Sequence, residues 1–128
     1  MIKLSKEQIL SIHSILISKT GGIDGIRDDG LLVSAINSPF QTFDGEELYP
    51  TVFEKAACLC YGLVNNHPFL DGNKRIGILA MLTFLEINKV IVTVTDSELI
   101  RLGLDIASSK MNQYQIYEWI ILHAKQKE

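Results

Sequence analysis

Two stretches, Pro50 to about Asn66 and Lys74 to Asn88, carry apolar residues at helical spacing around much of their circumference. The first presents Val52, Phe53, Ala56, Ala57, Leu59, Cys60, Leu63 and Val64, and the second Ile76, Ile78, Leu79, Met81, Leu82, Phe84, Leu85 and Ile87. A helix that is apolar on nearly every side has no face to offer water and must be enclosed by other elements. The pair is therefore expected at the centre of the fold, with the rest of the chain as its cover. Pro50 suits the first turn of the earlier helix, where a missing N–H costs nothing.

The covering elements announce themselves by their starts. Ser5-Lys-Glu-Gln8 has the form of a capping box, with Leu4 and Ile9 placed as its hydrophobic staple, so a helix is expected from Lys6. Ile9, Ile12, His13, Leu16 and Ile17 continue it at helical spacing until Gly21-Gly22. Asp28 and Asp29 can cap a short second helix carrying Leu31, Leu32, Ala35 and Ile36, which must finish near Asn37-Ser-Pro39. Between Pro39 and Pro50, Asp44-Gly45 lies among Phe40, Phe43 and Tyr49 and suggests a flap or hairpin. Thr95-Asp-Ser-Glu98 and Asn112-Gln-Tyr-Gln115 open two more helices, near 96–109 and 113–126. The run from Lys89 to Val94 is β-branched, but one run makes no sheet. A single domain over 1–128 is expected, all-α, a compact bundle of about six helices with a small β flap before the central pair.

Composition narrows the partners. A net charge of −3 and a pI near 5.6 leave no surplus of Lys and Arg to displace counterions, so no nucleic acid is expected. No apolar run approaches the length of a membrane span, and the N-terminus lacks the form of a signal peptide. Cytoplasmic localisation follows as an expectation. Cys58 and Cys60, two apart in a helical stretch, point to different sides and read as reduced core thiols rather than a disulfide or zinc site.

Between the two central helices lies the one segment dense in chemistry, His67-Pro-Phe-Leu-Asp-Gly-Asn-Lys-Arg75. Unpaired N–H groups at the start of the second helix favour an anion, and Asn73, Lys74 and Arg75 add donors suited to phosphate oxygens. Asp71 would repel phosphate unless Mg²⁺ bridged them, since magnesium takes one carboxylate together with substrate phosphates. His67 can accept the proton of an attacking hydroxyl near neutral pH. Taken singly, His-Pro-Phe at a helix end, Asp-Gly-Asn in a turn and Lys-Arg at a helix start are ordinary structure. Their conjunction between two apolar helices points to group transfer from a nucleotide. The segment is neither a Walker A loop nor a zinc motif.

The same nine residues resemble the Fic/Doc family motif, His-x-Phe-x-Asp/Glu/Ala-Gly/Ala-Asn-Gly/Lys-Arg, at every defined position. Gly21-Gly22, Gly25-Ile-Arg-Asp28, Gly30-Leu-Leu32, Pro39, Phe43, Tyr49-Pro50 and Glu54-Lys-Ala-Ala57 extend the resemblance to the death-on-curing branch over most of the chain. It implies the Fic-type helical bundle, with His67 as general base, Asp71 as the Mg²⁺ ligand, and Asn73 with Gly72 as an anion hole. Lys74 and Arg75 would hold phosphates, and Phe69 would be the buried anchor of the loop. AMP-transferring members carry a second arginine three residues after the first, and Ile78 stands there. That departure favours the Doc-like alternative, a kinase moving the γ-phosphate of ATP to a threonine of elongation factor Tu, with adenylylation (AMPylation) close behind. The branch further implies a toxin of a type II toxin–antitoxin system, inhibited in trans by a cognate antitoxin, since no Ser/Thr-x-x-x-Glu-Gly/Asn inhibitory motif is found in the chain.

Four lesser expectations accompany this. The flap would offer a strand edge to the target backbone, as in Fic proteins, with a plain connecting loop equally weighted. Arg27 and Asp28 are read as an ion pair closing the turn in preference to part of the nucleotide pocket, His13 and His123 as packing or surface residues far from the motif, and Trp119 as core of the last helix, with an antitoxin groove there the weaker reading. A non-catalytic nucleotide-binding module is the rival from another class. A nuclease built on His67 and Asp71 is remoter, because no second metal ligand accompanies them.

Overall fold

The computed structural model describes residues 1–126, in which six helices follow in chain order: α1 Lys6–Thr20, α2 Asp29–Asn37, α3 Val52–Asn66, α4 Asn73–Ile87, α5 Asp96–Ala107 and α6 Gln113–His123. Two short antiparallel ribbons join them, β1 Thr42–Phe43 with β2 Glu46–Glu47 and β3 Val90–Val92 with β4 Ala124–Gln126. The all-α class, the six helices and the hairpin agree with the patterning. α3 and α4 pack on each other most extensively; α2 and α6 cover α3, while α1, α5 and β3 cover α4. Gly77 sets how closely the central pair approaches, because a Cβ there would lie 2.7 Å from Val64 Cγ2 and 3.1 Å from the Cys60 carbonyl oxygen. The core runs through this pair, with Phe69, Leu63, Ile76, Met81, Phe84 and Leu85 buried. Each such side chain contributes about 1.5–3 kcal/mol by leaving water.

Caps fix where the helices begin. Reciprocal capping boxes form at Ser5 with Gln8, Thr95 with Glu98 and Asn112 with Gln115. Leu4 and Ile9 are both buried as a staple requires. Pro50 is not in the first turn of α3: Thr51 is the N-cap, its hydroxyl accepting the Glu54 N–H at 3.2 Å, and Pro50 precedes it. The last helix also departs from expectation. It ends at His123 rather than 126, and the chain continues as β4, giving the Val90–Val92 run the partner it lacked. Thr93 N–H donates to His123 O at 2.9 Å, which closes the ribbon at the point where the helix stops.

The hairpin turns through Asp44 and Gly45, both at positive φ (52° and 78°), the conformation of a type I′ turn. Its return strand is tied to the first turn of α3 by Lys55, which is only 1% exposed. The Lys55 ammonium lies 2.9 Å from Glu47 Oε1, donates to the Tyr49 carbonyl, and sits 5.5 Å from the centre of the Phe40 ring. Among the described residues, no helix is long and apolar enough to cross a membrane.

Candidate active site

Residues 67–72 link α3 to α4, and upstream residues hold them, 25–28 along one side. α3 stops at His67, whose left-handed conformation (φ 49°, ψ 53°) turns the chain out of the helix. Helix ends leave carbonyls without partners. Here Arg27 supplies them, its Nε donating to His67 O at 2.6 Å and its Nη2 to Asn66 O at 2.9 Å. The backbone N–H groups of Arg27 and Asp28 both donate to Pro68 O, at 2.7 and 3.0 Å, and Leu70 N–H donates to Gly25 O at 3.0 Å. Arg27 is therefore structural, as expected, through helix capping rather than an ion pair; Asp28 caps α2 by accepting the Leu31 N–H at 3.0 Å. The loop thus lies against 25–28 like one rung of a sheet, with Ile26 bridged to Phe69.

Within the loop, Phe69 is 1% exposed and points into the core. The Asn73 carboxamide closes the turn above it: Oδ1 accepts the Phe69 N–H at 2.9 Å and Nδ2 donates to Phe69 O at 3.0 Å. One of the two Nδ2 hydrogens and the Oδ1 atom are committed to this ring of bonds, so Asn73 offers a ligand its backbone N–H and the second Nδ2 hydrogen. The first intrahelical bond of α4 runs from Ile76 N–H to Gly72 O at 2.9 Å. The N–H groups of Asn73, Lys74 and Arg75 consequently have no acceptor within the helix and carry its positive pole.

Around this helix start, a recess of about 400 Å³ is lined by His67, Leu70, Asp71, Gly72, Asn73, Lys74 and Arg75. The six residues expected to bind or react are brought together in it. His67 is exposed, and its Nδ1 lies 3.1 Å from Asn65 O. A carbonyl oxygen only accepts, so Nδ1 carries a proton, and in the neutral ring the lone pair is on Nε2. Asp71 keeps 44% of its side chain exposed; Oδ1 accepts the Gly72 N–H at 2.8 Å and lies 3.9 Å from Arg75 Nη2, while Oδ2 accepts the Ile23 N–H at 3.3 Å. Gly22 permits this, since a Cβ there would lie 2.6 Å from Asp71 Oδ2. Arg75 donates to the Thr20 hydroxyl at the end of α1, which itself donates to Leu16 O at 2.8 Å. Lys74 is exposed on the rim. Ile78 lies one turn beyond Arg75 in a largely apolar groove with Leu16, Leu79, Leu82, Leu99 and Ile100, in which Asp96 is the one carboxylate.

One expectation about this region is overturned. His13 does not lie far from the motif: it is 1% exposed, stacked on Phe69, with Nε2 2.7 Å from Asp71 O. The sequence did hold a sign of it, since His13 falls on the same buried face of α1 as Ile9 and Ile17. An imidazole in register with an apolar face needs a polar partner inside. His123, by contrast, is remote from the loop, stacked on Trp119 and 2.8 Å from Glu98 Oε2.

Residues 3–85 match the family model described as Fic/DOC family. The chain belongs to the Fic/DOC family. The matched segment runs from the start of α1 nearly to the end of α4 and so contains the whole loop and its upstream supports. Toxin Doc of Mycolicibacterium smegmatis is 42% identical over 87 residues, 68% of this chain and 65% of that protein. The match thus spans slightly less than two thirds of that relative. Protein kinase doc of Escherichia phage P1 is 33% identical over 90 residues, 70% of this chain and 71% of that one. For this Fic/DOC-family chain, β3, α5, α6 and β4 lie outside the matched segment.

Proposed function

We propose that this chain is a Doc-type toxin enzyme that moves the γ-phosphate of ATP to a Ser/Thr hydroxyl of a protein target such as elongation factor Tu. The observation that carries this reading is His67 beside an unpaired helix start: with Nδ1 facing Asn65 O, the imidazole, a carboxylate and three N–H groups without a helical acceptor line one recess. His67 Nε2 takes the proton of the target hydroxyl as its oxygen attacks the γ-phosphorus. The bond from the γ-phosphorus to the β–γ bridging oxygen breaks, and ADP leaves. The N–H groups of Asn73, Lys74 and Arg75 and the two cationic side chains hold the phosphates through this change.

The donor chemistry fits Mg²⁺, because Asp71 presents a half-exposed carboxylate beside the phosphate cradle. When bound, the ion neutralises phosphate charge and makes the β–γ bridging oxygen a better leaving group. The choice of the γ-phosphate is supported by the apolar surroundings of Ile78 and by the relative named Protein kinase doc. The relative named Toxin Doc supports a toxin–antitoxin setting with a cognate antitoxin as partner; the cytoplasm, where ATP is supplied, is part of the same proposal.

ATP labelled at either the γ- or the α-phosphate, incubated with Mg²⁺ and lysate protein, tests this. Transfer of the γ label alone is expected, with His67→Ala reducing it about 100-fold or more while the helical circular dichroism is unchanged. Transfer of the α label alone would establish AMP transfer by the same loop. Calorimetric ATP binding without transfer of either label would make the chain a non-catalytic nucleotide-binding module.

A further inference from the structure

We propose that His13 is a positioning residue for the transfer loop, holding the Asp71–Gly72 peptide through its Nε2–H. The inference rests on the reading of that loop as the transfer site. The His13 and Phe69 rings lie 3.8 Å apart at 10°, so the imidazole is clamped flat beneath the loop. Nε2 approaches the Asp71 carbonyl oxygen to 2.7 Å, and because that oxygen only accepts, Nε2 carries the proton. Nδ1 lies 3.3 Å from Asp24 Oδ1 without the geometry of a hydrogen bond. The bond to Asp71 is therefore the one that sets the rotation of the ring.

That bond matters because of which peptide it grips. The carbonyl of the Asp71–Gly72 peptide goes to His13, and its N–H donates to the Asp71 carboxylate at 2.8 Å. Turning this peptide moves the carboxylate and reorients the start of α4 together. Gly72 is at φ 78°, where glycine moves with little torsional resistance, so its own backbone does not fix the peptide. A Cβ on Gly72 would lie 3.1 Å from Ile17 Cδ1 and 3.5 Å from His13 Nε2, which makes these two α1 side chains the floor beneath it. Stacking on Phe69 anchors the ring; the N–H aims the peptide.

Three substitutions separate packing from positioning. His13→Phe keeps a stacking ring without the donor, His13→Gln keeps an N–H donor without the ring, and His13→Ala keeps neither. His13→Phe is expected to lower the thermal midpoint less than His13→Ala does, while the transfer rate at saturating ATP and Mg²⁺ falls about 10–100-fold. His13→Gln should recover most of that rate at a lower midpoint. Amide hydrogen exchange at Gly72 and Ile76, whose N–H groups bond to the Asp71 carboxylate and to Gly72 O, in protein without nucleotide, should be faster in His13→Phe than in wild type and slower in His13→Gln than in His13→Ala. A His13→Phe enzyme as fast as wild type, or a His13→Gln enzyme no faster than His13→Ala, would show that the ring is core packing and overturn the proposal. If the wild-type protein transfers no label, the transfer reading fails and exchange alone decides: faster exchange in His13→Phe supports the positioning contact, and unchanged exchange refutes it.

Discussion

Two side chains beside the loop, Asn73 and Arg27, are committed to its backbone, and their removal has calculable consequences. Replacing Asn73 by Ala leaves the Phe69 N–H and carbonyl, part-buried, without partners. Each unsatisfied group costs about 1–3 kcal/mol, so urea unfolding of Asn73→Ala should show a loss of at least that size together with a fall in transfer. Arg27→Ala frees the carbonyls of Asn66 and His67 near solvent, where water replaces the guanidinium. Its stability cost should be smaller, about 1 kcal/mol, while transfer falls because the His67 backbone is no longer held. The buried thiols give a pH dependence. Burial pushes Cys58 up to about 11 from 9.0, ahead of smaller opposing effects from Tyr49, Gln113 and Lys55, and pushes Cys60 up to about 12. Between pH 9 and those values the unfolded chain releases thiol protons that the folded chain keeps, so stability present below pH 9 is lost as pH rises. The thermal midpoint should therefore decline above pH 9, and Cys60→Ala should lessen the decline.

At the scale of elements, Lys55 ties the hairpin to α3, and Gly77 sets the closeness of the α3–α4 contact. The base of the hairpin is tied to Lys55 in the first turn of α3, while His67 ends the same helix about 18 Å further along at 1.5 Å per residue. The Lys55–Glu47 pair is asymmetric, with the cation buried and the carboxylate half exposed. Glu47→Ala leaves a buried ammonium with only the Tyr49 carbonyl and the Phe40 ring, whereas Lys55→Met removes the charge and keeps the packing. Glu47→Ala should accordingly be the more destabilising of the two in urea unfolding; the reverse order would mean that the ammonium is already hydrated. Gly77→Ala forces its Cβ against Val64 and the Cys60 carbonyl, and the overpacking should cost about 1–3 kcal/mol, read in the same way. The β3–β4 ribbon shows why one element was foreshortened. Val90–Val92 finds its partner in Ala124–Gln126, more than thirty positions along, and that pairing ends α6 at His123.

Over the whole molecule, what could be read from the sequence was what depends on near neighbours. Capping boxes satisfy donors three residues away, so Ser5, Thr95 and Asn112 mark helix starts by local spacing alone. Apolar residues on all sides of 52–66 and 74–88 required burial wherever the rest of the chain went. The nine residues from His67 to Arg75 kept base, carboxylate, amide and cations within one loop, so their meeting in a single recess needed only a tight turn. Contacts between distant positions were settled by packing, because no local spacing encodes which face of one helix meets which loop of another. His13 reaches Asp71 across 58 positions, Arg27 reaches His67 across 40, and Thr20 meets Arg75 across 55. The sequence by itself determined the helical class, the central pair and the composition of the loop. Only the tertiary structure decided that α1 and the segment after it hold that loop in shape, since burial of Phe69 against α1 is what brings His13 to the carbonyl it bonds.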